Sequence, residues 1–352
     1  MKKIFAILFA AMAMTACNNT TYTINGTDAS FEDGINAYIQ LPSEGGRFEA
    51  IDTVAIVNNS FTFTGEVEQT KKAFVTVGDN IHISLFLEPG TINISKANPE
   101  DRTFSVTGTP MNDLRNELSQ KSVELMNKYR AANEAGDQEA IKAIEDEMTQ
   151  SIKSFIAANA ANIVGQDVLK QNYYYFEPQE LLDIIATIPA ENAEAFAKMK
   201  ESAEAALKVQ PGNPYIDVVD KTPAGEELSL KSVVENGKNK YVLLDFWASW
   251  CGPCMQEVPY LIETYKAFHD KGFEIYGVSF DRTEEAWLNA IKEKELAWLH
   301  VSALKAWDNQ ARADYAVNSI PANFLIDCAT GQIIATSLRG EEVKAKMEEL
   351  LK

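Results

Sequence analysis

Cysteine is scarce in this chain of 352 residues: there are four, and none lies between positions 18 and 250. A disulfide scaffold, which needs cysteines spread through the fold, is therefore excluded. Histidine is scarcer still, at His82, His269 and His300, and none stands at ligand spacing from the cysteines. A structural zinc site, which wants four Cys or His ligands, is not expected, and no His- or Met-rich copper cluster accompanies the nearby Met255. Basic residues number 32 against 51 acidic ones, a formal charge of −19. That excess argues against nucleic acid and against adsorption to anionic lipid. No internal repeat is present, and the apolar run near the start is too short to cross a bilayer of about 30 Å as a permanent helix.

That run has another reading. In "MKKIFAILFAAMAMTAC", Lys2 and Lys3 precede a short apolar core, Ile4 to Met12, the layout of a targeting segment. Met14-Thr15-Ala16-Cys17 resembles a bacterial lipoprotein box, which implies lipidation of Cys17 as the first residue of the mature chain. Two or more acyl chains would hold the protein stably at a membrane. The alternative is ordinary secretory cleavage after Ala13, following the small-x-small site Ala11-Met12-Ala13. Either way, the expected location is the cell envelope, facing the periplasm and anchored by lipid on the favoured reading.

Beyond residues 1–17 three regions are expected. Residues 18–110 read as a β-rich domain, with short runs such as "FTFTGEV" and "AFVTV" punctuated by Gly45-Gly46, Asn58-Asn59, Gly78-Asp79 and Pro89-Gly90. The spacing suits a small antiparallel sandwich, with Asn58-Asn59 as a tight hairpin turn because Asn tolerates positive φ. Residues 111–210 are poor in Gly and Pro and read as a helical linker domain. Ile141, Ile144, Met148, Ile152 and Phe155 recur at helical spacing, as do Leu181, Leu182, Ile184, Ile185 and Ile188. Breaks are expected near Gly136, Gly165 and Pro189, and the "YYYF" run at 173–176 reads as packing. "VQPGNP" at 209–214 is the clearest boundary. Residues 211–352 alternate strands and helices, an α/β layout ending in a hairpin through Gly331 and an amphipathic helix.

Chemistry concentrates in "LLDFWASWCGPCMQEVP". Cys251 falls where a buried strand ends and a helix begins. Free backbone N–H groups and the positive end of the helix dipole there favour a thiolate, and such a Cys-x-x-Cys can lower a thiol pKa from about 8.5 toward 7. Cys251 is the expected attacking sulfur, exposed at the surface, and Cys254, one turn deeper, resolves the mixed disulfide. Gly252 and Pro253 separate them, Pro253 fitting the first helical turn. Pro259 removes a helical N–H, so a kink is expected after the first turns. Trp250 is expected to shield the sulfurs and touch substrate, whereas Trp247 reads as core and Cys328 as an incidental thiol.

This stretch resembles the thioredoxin superfamily, and more closely the envelope-anchored thiol–disulfide interchange proteins of the TlpA, ResA and DsbE type. The resemblance covers about residues 211–352 and includes "VNSIPANFLID", where Pro321 matches the family's cis-proline and Ile320 the residue whose backbone pairs with the substrate chain. It implies a thioredoxin-like mixed sheet with flanking helices. The β-rich start resembles a domain of unknown function that often precedes such folds. Asp245 matches the buried acid that exchanges a proton with the deeper thiol, and Glu257 the active-site glutamate of the ResA branch. Carrying both is a departure that leaves open which one serves Cys254.

The expected activity is thiol–disulfide exchange without a cofactor or metal. Gly-Pro between the cysteines is shared with thioredoxin, a reductant near about −270 mV, while strong oxidants sit near about −120 mV. The gap corresponds to roughly 7 kcal/mol, and the sequence leans to the reducing side. The resemblance implies protein thiol or disulfide substrates, apocytochrome c thiols among them, and a membrane electron donor of thiol–disulfide type. A competing reading makes residues 22–209 a capture module for a partner, a client or a second copy of the chain, leaving a homodimer open.

Overall fold

The computed structural model describes residues 20–96 and 103–352, so the lipidation site expected at Cys17 lies outside the described residues. The chain divides into two compact units, Met1–Tyr175 and Phe176–Lys352.

The first unit begins as two packed sheets. Its strands are β1 (Thr21–Thr27), β2 (Asn36–Pro42), β3 (Phe48–Ala55), β4 (Ser60–Glu66), β5 (Lys71–Val77), β6 (Ile81–Leu87), β7 (Gly90–Ser95) and β8 (Ser105–Thr107). One sheet has the order β4-β1-β7-β8 and the other β3-β2-β5-β6. Alternate residues from each, Ile24, Phe63 and Ile92 on one side and Ile39, Val75 and Leu85 on the other, bury into a shared core. The pairing is antiparallel except between β1 and β7, which run parallel. Asn58 and Asn59 do take φ of 53° and 54°, and Val57 and Ser60 exchange both backbone hydrogen bonds across them. The strands they join nevertheless lie in different sheets, because the chain crosses the core at buried Ile56 just before the turn.

Among the described residues three α-helices complete this unit: α1 (Pro110–Ala135), α2 (Gln138–Asn159) and α3 (Ile163–Asn172). Gly136 ends α1 at φ 68°, a left-handed conformation that glycine adopts without a Cβ penalty. Asp137 then caps α2 by accepting from the Ala140 N–H. The break expected near Gly165 falls at residues 160–162, and Gly165 itself sits in the first turn of α3. A Cβ there would lie 2.0 Å from the Asn159 carbonyl oxygen, so glycine permits the tight corner that Asn162 caps. At the start of α1, buried Asn112 bonds both backbone groups of Phe86 on β6, at 2.9 Å from its N–H and 2.7 Å from its carbonyl.

The second unit opens with α4 (Pro178–Ile185) and α5 (Ala197–Lys208), then β9 (Val219–Lys221), β10 (Glu227–Ser229) and α6 (Leu230–Val234). There follow β11 (Tyr241–Trp247), α7 (Gly252–Phe268), β12 (Phe273–Ser279), α8 (Glu284–Glu293), β13 (Leu299–Ser302) and α9 (Gln310–Asp314). The hairpin β14 (Ala322–Asp327) and β15 (Gln332–Thr336) leads into α10 (Glu341–Leu350). The sheet order is β10-β9-β13-β12-β11-β14-β15. β11, β12 and β13 are parallel neighbours, and β14 closes antiparallel on β11. This is the mixed sheet with flanking helices that the α/β reading called for. The helical stretch 111–210 is thus shared between the units. The segment at 209–214 is bonded along β15, with Gly212 N–H on the Ile333 carbonyl at 2.8 Å. α7 runs unbroken through Pro259; its missing N–H does not end the helix.

Candidate active site

β11 is a central strand buried from Val242 onward, and it delivers the chain to the sheet's edge at Trp247. The next residues are fixed by a buried carboxylate that sequence patterning did not single out. Asp281 accepts from the Ser249 N–H at 3.1 Å, from the Ser249 hydroxyl at 2.5 Å and from the Ser279 hydroxyl at 2.7 Å. Cys251 then becomes the N-cap of α7, and the Cys254 N–H points at its sulfur at 3.1 Å. Pro253 occupies the first turn, where no intrahelical N–H bond is lost.

Cys251 and Cys254 are joined by a disulfide, with Cα atoms 5.2 Å apart. Cys251 was expected at the surface, yet it is only 4 % exposed and Cys254 3 %. The burial has a local cause. The Ile320–Pro321 peptide, which is cis, brings the Ile320 carbonyl oxygen within 3.7 Å of the Cys251 sulfur. The exposed surface here belongs to the neighbours: Trp250 is 55 % exposed, Gly252 and Pro253 are exposed too, and Trp307 stands 6.4 Å from Trp250 between ring centroids. Trp247 is buried, as its place in the strand predicts.

Behind the disulfide lies a cavity of about 10 Å³ lined by Asp245, Cys254, Glu257, Trp247, Trp298 and Pro321, among others. That volume is near the lower limit for one water molecule. Asp245 is 5 % exposed. Burial pushes its pKa up from 3.8 to about 7, Arg339 opposes the rise and Glu257 adds to it. Glu257 is half-buried, not a free helix residue; its carboxylate accepts the Gly340 N–H at 2.7 Å. The two acids expected from sequence are thus brought to one side of Cys254, together with Pro321. Cys328 stands apart as a free, half-buried thiol whose pKa burial raises to about 12.

Two further groups escaped sequence reasoning. The Asn323 side chain, one residue beyond Ala322, clasps both backbone groups of Leu338 at 2.9 Å. Arg339 donates to the carbonyl oxygens of Leu338 at 2.9 Å and Pro321 at 2.5 Å. Neither has a local pattern around it; only the hairpin return of β14 and β15 places them here.

The comparisons agree with this geometry. Residues 239–333 match a family described as thioredoxin-like, and residues 22–114 match a domain of unknown function, DUF4369. The chain is 36 % identical over 145 residues to the thiol-disulfide oxidoreductase ResA of Bacillus thuringiensis subsp. konkukian, covering 41 % of this chain and 79 % of that protein. This chain belongs to the thioredoxin-like thiol-disulfide oxidoreductases. A second ResA relative of this oxidoreductase, from Bacillus cereus, is 34 % identical over 151 residues and is covered to 81 % of its length. A thioredoxin domain of a thiol-disulfide oxidoreductase from Bacteroides vulgatus is 37 % identical, with a TM-score of 0.38 over 41 % of this chain and 99 % of that one. In this oxidoreductase Cys251 and Cys254 form the Cys-x-x-Cys pair, and the structure holds them as a disulfide.

Proposed function

We propose that the oxidoreductase works as a protein-disulfide reductase, with Cys251 attacking and Cys254 resolving. In the reduced enzyme the Cys251 thiolate attacks one sulfur of a client disulfide; the client's other sulfur leaves as a thiolate. Cys254 then gives up its proton to the acid pair and attacks the Cys251 sulfur, releasing the second client thiolate. The client gains two electrons and the enzyme ends as the Cys251–Cys254 disulfide. A dithiol donor of the same exchange chemistry must return those electrons.

The observation that carries this reading is the Cys251–Cys254 disulfide at the N-terminus of α7, with the Ile320 carbonyl beside its outer sulfur and Asp245 behind its inner one. Ile320 and Trp250 are assigned to client binding, the first through its backbone and the second through its exposed ring. Gly252 and Pro253 tune the couple. Extracytoplasmic placement with a lipid on Cys17 and a membrane-held donor belongs to the same proposal, since a reductase in an oxidising compartment needs continual recharging.

The test is insulin reduction by dithiothreitol, comparing wild type with Cys251→Ser. Turbidity is expected to rise quickly with wild type and at the uncatalysed rate with the variant. Equal rates would instead favour a capture role for residues 22–209, and a reduction potential above about −180 mV, where isomerases lie, would overturn the direction of electron flow.

A further inference from the structure

We propose that Arg339, in the turn between β15 and α10, is a positioning residue that fastens the client-binding Ile320–Pro321 loop and sets the proton step at Cys254. The proposal rests on the exchange mechanism above and adds to it a cation that touches neither sulfur. Its guanidinium is half-buried and donates from two nitrogens to two carbonyls, those of Leu338 and Pro321. The Pro321 carbonyl belongs to the peptide directly after the one whose Ile320 carbonyl lies against the Cys251 sulfur, so this bond anchors the loop one peptide away from that contact.

The turn that carries Arg339 is itself held from three sides. Asn323 on β14 clasps Leu338. Glu342, in the first turn of α10, accepts the Arg339 N–H at 2.8 Å. Glu257 on α7 accepts the next N–H, that of Gly340. One turn therefore couples the client-facing loop to the helix that bears both cysteines. A guanidinium suits this post because its planar fork can reach two acceptors at once while keeping its charge when partly desolvated.

The charge has a second effect. Asp245 is faced by Cys254 and Glu257 from α7 and by Arg339 from the turn. His300 on β13 lies in the same cross-strand row, with Gly277 between them, and β14 contributes no titratable group at that position. Arg339 is the one cation in this set that opposes the burial of Asp245, since His300, buried against Trp247 and Trp298, has its pKa lowered to about 4. Without Arg339 the acid would hold its proton to higher pH, so that near neutrality less of it is ionised and free to accept one from Cys254.

The test uses the full chain with Arg339→Met and Arg339→Lys. Stopped-flow fluorescence separates attack on a disulfide peptide from release of the mixed disulfide, and steady-state rates give KM and kcat. Arg339→Met is expected to move the pH midpoint of release upward, leave attack on its wild-type profile, and raise KM about tenfold through loss of a charge-assisted bond. Arg339→Lys should keep the wild-type midpoint, because it keeps the charge, yet still raise KM, because it loses the fork. A carbon-13 titration of the Asp245 carboxyl in the oxidised protein, assigned with Asp245→Asn, reads the charge effect without turnover. It is expected to move to higher pH in Arg339→Met alone. An unmoved titration, or an unchanged KM in Arg339→Met, overturns the proposal even if peptide exchange proceeds, whereas a moved titration with no exchange in wild type keeps the charge effect on Asp245 and sinks the reductase reading instead.

Discussion

A carboxyl group at position 245 interrupts an otherwise apolar strand, between Leu244 and Phe246, both wholly buried. Its pKa is raised from 3.8 to about 7, so the folded state binds a proton that the unfolded state has already lost. Stability from this group is therefore full below about pH 4 and declines as pH rises toward 7. At about 1.36 kcal/mol per unit, the ceiling on that loss is on the order of 4 kcal/mol. Asp245→Asn, which carries no charge, should gain stability over wild type at pH 8 and little or none at pH 4.5, by urea melts of the oxidised protein. The same variant should slow mixed-disulfide release while leaving attack by Cys251 intact. A stability difference that does not change with pH would remove Asp245 from the acid–base account. The residue was legible in the sequence through the resemblance of "LLDFWASWCGPC" to the thioredoxin family, whose buried acid it matches. Arg339 was not, since nothing along the chain says that a turn 88 residues beyond Cys251 returns to it.

At the scale of elements, the junction of β11 with α7 could be read from the sequence alone. A run of buried β-type residues, then cysteines and a proline at the first helical turn, leaves little other local choice. What could not be read is how strands pack sideways. Gly277 on β12 looks like an unremarkable glycine in "FEIYGVSF". In the sheet it lies between Asp245 and His300, and a Cβ there would sit 3.1 Å from both the His300 Nδ1 and the Trp247 Nε1. The space is taken by two indoles and an imidazole from elements far apart in sequence. Gly277→Ala is expected to destabilise the oxidised protein by about 1–3 kcal/mol through overpacking, measured by denaturant melts. A wild-type midpoint would show that these rings have slack. The Asn58–Asn59 turn teaches the same lesson from the other side. Asparagine chemistry fixed the turn locally, while the assignment of its two strands to separate sheets depended on where Ile56 was buried.

For the whole molecule, the helical stretch 111–210 was visible as composition but its allegiance was not. α1 to α3 belong to the unit that ends at Tyr175, and α4 and α5 to the unit that carries the cysteines. Buried Val209 joins the core of the second unit; Asn213 bonds the Leu207 carbonyl at 2.8 Å, and Asn318 bonds Ser202 at 3.1 Å. Residues 176–352 expressed alone should therefore unfold at higher urea than residues 211–352, the piece suggested by the Pro-Gly-rich stretch. Equal midpoints would mean that α4 and α5 add nothing to that core. In the first unit, the Asn112 carboxamide occupies both backbone groups of Phe86 as one more strand residue would. Because the stopper is carried by a helix and not by a strand, it leaves with the helix. A molecule whose first helical turn frays would bare a pairing site while its sheets are still intact, so self-association on ageing would begin with a local loosening and precede global melting.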